Sequence, residues 1–437
     1  YKRDISVRLF DLTYWSMPVT KSGFTMHHLS PNTLWDKYQY YDSDAGKWTI
    51  DYYGKMVMET GKGYNIRAPQ SADVYVPSNF TAEFTGVPNN GTIPVPVLDG
   101  KWNLIGNPYP SAISAQQLMT DNPALGTLYF WGHESLPILN PADGKFYYNS
   151  DFTAFNASGS TVGGSGTPFN GYIAAAQGFF ARPEAATVIF NNAIRRPGNN
   201  GQFYKTAASE DIEKNRVWLN FTNSDGVFKQ ILLGYIEGAT NIIDLNYDAV
   251  SMGANNFVDF YSINSNKKLT IQGRALPFEK SDQVPLGYKL SSKGDYTISI
   301  DHADGIFDNQ DVYLEDKETG KTTNLRLEDY KFTTAEGSFN SRFVLRFTSK
   351  TLGTDDFENI SDGIIVSVKN KIVKITASKE AINDVTIYNV LGQEIFSKKK
   401  INSTEFQISN LQTGNQVLMV KTSLQNGHVS TKKIIIN

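Results

Sequence analysis

Four short blocks of this chain occur twice in the same order, and that internal repeat limits the fold more than any other feature. Trp15-Ser16-Met17-Pro18-Val19 is echoed by Trp102-Asn103-Leu104-Ile105-Gly106, and Tyr38-Gln39-Tyr40-Tyr41 by Leu128-Tyr129-Phe130-Trp131. Gly63-Tyr64-Asn65-Ile66-Arg67 returns as Gly178-Phe179-Phe180-Ala181-Arg182, and Val74-Tyr75-Val76 as Val188-Ile189-Phe190. Both copies then run into Asn-Asn-Gly, ending at Gly91 and Gly201. The second copy is longer, mainly between Gly132 and Gly171, where the Gly/Ser-rich stretch 158–166 has a loop composition. This predicts two related β-units, 1–96 and 97–203. Helical periodicity is nearly absent. One short helix is expected over 114–119, with Ser114 as N-cap and Pro123 beyond its end.

A polar linker at 204–214 leads into regular period-two alternation, as at Val217, Leu219 and Phe221, or Phe343, Leu345 and Phe347. That pattern predicts a β-sandwich over 215–350. A second linker, 351–363, is rich in Asp, Gly and Ser. The segment 364–437 then holds about seven short strands, enough for a small sandwich of its own. The fold class expected is all-β: tandem β-sandwich-like domains ending in a small seven-stranded β-sandwich. Abundant aromatics and 35 glycines agree with a strand- and turn-rich chain.

Composition removes several function classes. With 40% hydrophobic and 19% charged residues, wholesale disorder is excluded. The 41 basic and 44 acidic side chains give no basic excess for nucleic acid. Residues 361–437 carry +5, which leaves −8 for the chain before them. The absence of cysteine removes disulfides, thiolate nucleophiles and cysteine metal sites. No apolar run reaches the roughly 18 residues of a membrane-spanning helix. The chain starts Tyr1-Lys2-Arg3-Asp4, with no initiator Met or export leader, so a processed chain or the C-terminal part of a longer one is expected.

Chemistry-bearing patterns are sparse, and no catalytic residue is singled out. His27 and His28 are neighbours that would face opposite sides of a strand, and His133, His302 and His428 are isolated. Gly61-Lys62-Gly63 lacks the third glycine of a dinucleotide loop, and Gly163–Thr167 lacks the last residue of a nucleophile elbow. No cofactor is expected. Calcium is a candidate at Asp304, Asp308 and Asp311 beside Asp301, where hard oxygens crowd one loop, but the spacing departs from an EF-hand and an ordinary acidic turn is the first reading. Trp15 and Trp102 sit at matching repeat positions and are expected in the core. Trp35 and Trp48 lack a clear repeat partner and, with the tyrosines around Tyr38–Tyr53, are the candidates for a surface platform that stacks sugar rings, although core packing is the first reading for large aromatics.

The last 75 or so residues carry a more specific pattern. Val385-Thr386-Ile387-Tyr388-Asn389-Val390-Leu391-Gly392-Gln393-Glu394-Ile395, then Phe406-Gln407-Ile408-Ser409-Asn410-Leu411, then Val420–Gly427 with Thr431-Lys432-Lys433-Ile434-Ile435, occur in order at the C-terminus. This resembles the C-terminal sorting domain of type IX secretion cargo of Bacteroidota. Where the commonest version has Gly-x-Tyr, this chain has Gly414-Asn415-Gln416-Val417-Leu418-Met419, similar to a variant class on secreted flavobacterial cargo. Trp102–Ser111 also resembles stretches of large flavobacterial surface and adhesin-like proteins. The resemblance implies a cell-surface or secreted protein exported through periplasm and outer membrane. Its tail would be the translocation signal, read by an outer-membrane shuttle barrel and translocon, and the upstream modules would be structural or adhesive, with surface glycans as a further partner. Recognition would fall on Ile387, Tyr388, Leu391, Gly392, Gly414, Asn426, Gly427, Lys432 and Lys433. Lys398-Lys399-Lys400 are expected on a hairpin tip, steering an acidic partner or guarding an edge against aggregation. The alternative is the C-terminal region of a secreted polysaccharide-degrading enzyme.

Overall fold

The computed structural model describes residues 1–132, 138–140, 145–147, 151–163, 169–198, 212–349, 364–369, 372–377, 380–409, 411, 414, 416–425, 427 and 429–436. The linker 351–363 and most of 204–214 lie outside these residues, as do His133, Asn426 and His428. Contacts divide the chain into two compact units, Tyr1–Ser349 and Lys350–Asn437. The fold is all-β, with sandwich-like sheets in tandem.

The repeat is built into hydrogen bonding. One sheet runs in the order Leu12–Ser16, Gly63–Arg67, Tyr38–Asp42, Lys47–Ile50. Another runs Asn103–Gly106, Gly178–Ala181, Leu128–Gly132, Asp151–Asn156, with Gly159–Ser160 added. Each copy also pairs the strand before its sheet with the strand after it. Lys2–Val7 pairs with Ser78–Glu83, and Ile93–Pro96 with Thr187–Phe190. The strand Ile93–Pro96 thus belongs to the second copy, so the division falls before residue 93 and not at 96. The helix Ala115–Asp121 starts where expected, with the Ser114 hydroxyl accepting from the Gln117 N–H at 3.2 Å.

Register corrects the block matching. Ser16 lies opposite Gly63, and Gly106 opposite Gly178. Ser16 and Gly106 are therefore equivalent, and Trp15 corresponds to Ile105 while Trp102 corresponds to Leu12. Two tryptophans in similar settings had suggested an alignment three residues out of step. Likewise Val74–Val76 lies outside any strand, and the true counterpart of Thr187–Phe190 is Ser78–Glu83. Trp15 is core, whereas Trp102 is half-buried with its ring edge-on to Tyr129 at 5.1 Å.

The two copies meet through reciprocal contacts. Trp15 bridges Gln177 and Ile105 bridges Lys62. The Ser16 N–H donates to Ala176 O at 2.8 Å, and the Gly106 N–H to Gly61 O at 2.9 Å. These are the paired contacts that a local two-fold relation demands. Glycines allow the approach. A Cβ on Gly63 would sit 2.5 Å from Leu104 Cγ, one on Gly178 would sit 2.9 Å from Tyr14 Cβ, and one on Gly106 would overlap Ser16 Cβ.

Residues 214–346 form an 11-stranded sheet that curls round a core of Phe221, Tyr288, Phe332 and Phe343. It is one continuous ladder, not two separate sheets, and register shifts at Val217/Leu219 and Leu286/Tyr288 help bend it. Its seam with the second copy holds a buried charge cluster. The Lys229 ammonium pairs with Asp151 and lies 3.9 Å from Asp259. Burial alone would lower the Lys229 pKa; the Asp151 and Asp259 carboxylates outweigh it and raise it.

The C-terminal unit packs a three-stranded sheet, Ile364–Lys369, Ile372–Ala377 and Glu405–Ile408, with a four-stranded one. The latter runs Glu394–Lys398, Ile382–Asn389, Gln416–Leu424, Val429–Ile436. All seven expected strands form, around Ile375, Val385, Ile387, Leu418 and Val420.

Two substitutions test this construction. Gly106→Ala is expected to cost about 1–3 kcal/mol in denaturant unfolding through overpacking, and Ser16→Gly in the same chain should recover part of it; an unchanged midpoint would contradict the close approach. Lys229→Ala should cost about 3–5 kcal/mol, because two buried carboxylates lose their cation. A loss below 1 kcal/mol would show that the cluster is solvated.

Candidate functional site

Three places combine exposure with ordered geometry. In the C-terminal unit the turn between Ile382–Asn389 and Glu394–Lys398 carries Val390 and Leu391, which are 70% and 80% exposed. The turn is held from Asn389. Its side-chain oxygen accepts from the N–H groups of Leu391 and Gln393, both at 3.0 Å. Its amide donates to Gln393 Oε1 at 2.8 Å, and Gly392 takes φ +79° with open space where a Cβ would be. Val429–Ile436 is the edge strand of its sheet, paired only to Gln416–Leu424 among the described residues, and Ile435 on it is exposed.

These positions sort the residues that the motif had grouped. Leu391, Gly392, Gly414, Gly427 and Lys433 are exposed, and Tyr388 and Lys432 are half-buried. Ile387 is not a recognition residue: it is fully buried in the core, on the inner face of its strand. Nor do Lys398–Lys400 occupy a hairpin tip. Lys398 ends its strand opposite Val385, and Lys400 lies on the crossover to the other sheet, its N–H bonded to Asp384 at 3.1 Å.

The second place is an aromatic stack. Trp35, Tyr52 and Tyr53 are 48%, 54% and 56% exposed, and the Trp35 ring stacks on Tyr52 at 5.5 Å and lies tilted against Tyr53 at 5.7 Å. Tyr53 has φ +69°, a conformation that costs a non-glycine residue of order 1–3 kcal/mol. Its N–H bond to Trp35 O at 2.7 Å helps hold it. Trp48 does not join this surface. It packs against Tyr14, Tyr41 and Phe180, at 5.6, 5.5 and 5.7 Å, in the cluster between the copies. Sequence reasoning grouped Trp35 with the tyrosines around Tyr38–Tyr53 but did not single out Tyr52 and Tyr53, which stand in an aromatic-rich run without a distinguishing period.

The third place is a cleft of about 830 Å³ between the second copy and the curled sheet. Lys214–Thr222 and Gly294–Asp304 slip by one residue, so that Val217 faces Ala303 but Leu219 faces Ile300. Trp218 therefore stands opposite both Asp301 and His302. Neighbours on a regular strand point to opposite faces; the bulge brings both into the cleft wall. His302 stacks on Trp218 at 3.9 Å and 17°, and its Nδ1 lies 2.6 Å from Asp301 Oδ2. Asp301 Oδ1 accepts from Asn220 at 3.0 Å. Beside them Arg216 holds Asp304 through two nitrogens, with its guanidinium 4.9 Å from the Trp218 ring. Nothing in the sequence marked this bulge, because the alternation Tyr296, Ile298, Ile300 gives no sign of where it breaks.

The acidic loop is otherwise engaged. Asp304 is spent on Arg216, and Asp311 accepts from Tyr313 at 3.0 Å and Asn324 at 2.9 Å. Asp308 lies on the short helical turn Gly305–Asp308. Among the described residues no group of three or more His, Cys, Asp or Glu could hold a metal ion. His27 and His28 lie on the helical turn Met26–Leu29 and not on a strand, with His28 Nδ1 capping Thr25 N–H at 3.1 Å.

Comparison with known proteins assigns a family without assigning chemistry. The chain belongs to the family described as domain of unknown function DUF8693, whose model matches residues 1–347. A second model, domain of unknown function DUF8694, matches residues 352–436. No curated protein matches. Among solved structures, Tp47, the 47-kilodalton lipoprotein of Treponema pallidum, aligns at 9% identity over 75% of this chain and 91% of that one, with a TM-score of 0.15.

Next to Asn246 and Tyr247 of the cleft lining stands a carboxyl sensitive to pH, Asp248. Burial raises Asp248 to about 7, against N–H bonds from Asp244 at 2.7 Å and Gly273 at 2.9 Å. A folded-state pKa above the unfolded one contributes stability at low pH that is lost as pH rises. Unfolding free energy should therefore carry a component that falls between about pH 4 and pH 7. Asp248→Asn should flatten that slope; an identical slope in the variant would contradict the assignment.

Proposed function

We propose that this chain is an exported recognition protein, at the cell surface or secreted, whose C-terminal unit is read by docking at the outer membrane. The upstream unit then serves as the structural and adhesive body. The observation that carries this reading is the Val390–Leu391 pair, two apolar side chains held in solvent by a turn that Asn389 fixes. A rigid exposed apolar tip is a ready anchor for a partner's pocket, since little conformational freedom is lost on binding. Val429–Ile436, the edge strand of its sheet, offers a second mode, addition of a partner strand. The sequence blocks similar to type IX sorting domains lie on this same unit, and a shuttle barrel and translocon are the partners that the similarity suggests.

The adhesive part of the reading is supported by the Trp35–Tyr52–Tyr53 cluster, three exposed rings gathered by one turn. A polysaccharide-degrading enzyme draws less support. Both carboxylates in the cleft are already engaged, Asp301 by His302 and Asn220, and Asp304 by Arg216. Glycoside hydrolysis commonly relies on two acids free to act on the bond.

Val390→Asp with Leu391→Asp changes only exposed positions and should leave the fold intact. The exported fraction in producing cells should fall at least tenfold, as it should on deletion of 364–437. Normal export of either variant would contradict the proposal.

A further inference from the structure

The bulge cleft has the dimensions and lining of a small-molecule site. Its volume, about 830 Å³, lies within the roughly 300–1,000 Å³ of ligand pockets. Its charges are mostly neutralised in place. Arg216 is committed to Asp304 and Asp301 to His302, which leaves Lys214 the one other formal charge among the lining residues. A phosphate or a polyanion would find no pair of free cations there. What the wall does offer is neutral hydrogen-bonding groups, Gln116, Asn246 and Tyr247, beside apolar faces at Phe155 and Phe228.

The histidine is set up to take part. Asp301 accepts at Nδ1, which fixes the proton there while the ring is neutral and turns Nε2 into an acceptor. Stacking on Trp218 holds the ring plane, and Asn220 holds the carboxylate. Two independent contacts thus fix one imidazole at the wall of a roomy cleft. In a merely structural bulge, neither the tautomer nor the cavity would be needed.

The geometry points to a binding site for a neutral sugar. A pyranose has an apolar C–H face that suits aromatic walls, and hydroxyls that both donate and accept. Those hydroxyls match an imidazole acceptor in a wall that also carries the amide-bearing residues Gln116 and Asn246. A hydroxyl of the bound sugar donates to His302 Nε2, and the ring lies against the Phe155 and Phe228 side of the cleft. This site is separate from the exposed Trp35 stack, and it stands or falls independently of tail docking.

The test uses the full chain and three neutral probes, chitotriose, mannotriose and cellotriose, with inorganic phosphate and a sulfated trisaccharide as charged controls, by calorimetry. At least one neutral trisaccharide is expected to bind. His302→Ala should weaken it at least tenfold. Thr120→Trp, at an exposed position on the cleft rim, should abolish it without touching the core, and Leu327→Ala, exposed elsewhere on the same unit, should leave it unchanged. Failure of all three neutral probes would overturn the inference, as would preference for a charged control. Binding that survives both Thr120→Trp and His302→Ala but is lost in Trp35→Ala would place the sugar on the exposed stack instead, which also overturns it.

Discussion

The close crossing of two strands at Ser16 and Gly106 is the constraint from which the upstream unit is built. Because Gly106 has no Cβ, its strand passes against Ser16, and the N–H groups of both reach across to the other copy. The same approach sets Gly63 under Leu104 and Gly178 under Tyr14. Around it gather Tyr14, Phe180, Tyr129 and Phe152, an aromatic cluster that neither copy could bury alone. The cluster continues to Trp218, Leu232 and Ile271 of the curled sheet, so one contact orients the repeat and, through it, the seam that contains Lys229. Aromatic rings suit this task because each removes a large apolar area from water with few torsions to fix.

Much of this architecture was legible in the sequence, and the losses have physical causes. Order of blocks survives divergence because strand order in a sheet is discrete. Register does not survive it: Trp15 and Trp102 look alike, yet their strands pair three residues apart. The tail strands were legible because alternation such as Ile364, Val366 and Val368 is regular where one face is buried. Trp48 follows the core alternative: it packs into the cluster between the copies, and register makes Phe152 its counterpart, a match that divergence from Trp to Phe had hidden. Ile387 sits inside its motif for packing and not for recognition.

Local defects in regular structure supply the functional geometry. A one-residue bulge turns Asp301 and His302 together against Trp218, and a positive φ at Tyr53 seats its ring on Trp35. A tight turn with Gly392 at φ +79° lifts Val390 and Leu391 into water. None of the three follows from composition or periodicity. Each depends on a break in the pattern that made the rest of the fold readable.

Docking by the C-terminal unit is the central functional proposal, and contact at the tip in living cells tests it most directly. A photoreactive benzophenone side chain in place of Leu391 should yield a covalent adduct with an outer-membrane protein on illumination of producing cells. The same group in place of Leu327, equally exposed on the upstream unit, should yield none. Undiminished export with no adduct at position 391 would contradict the account.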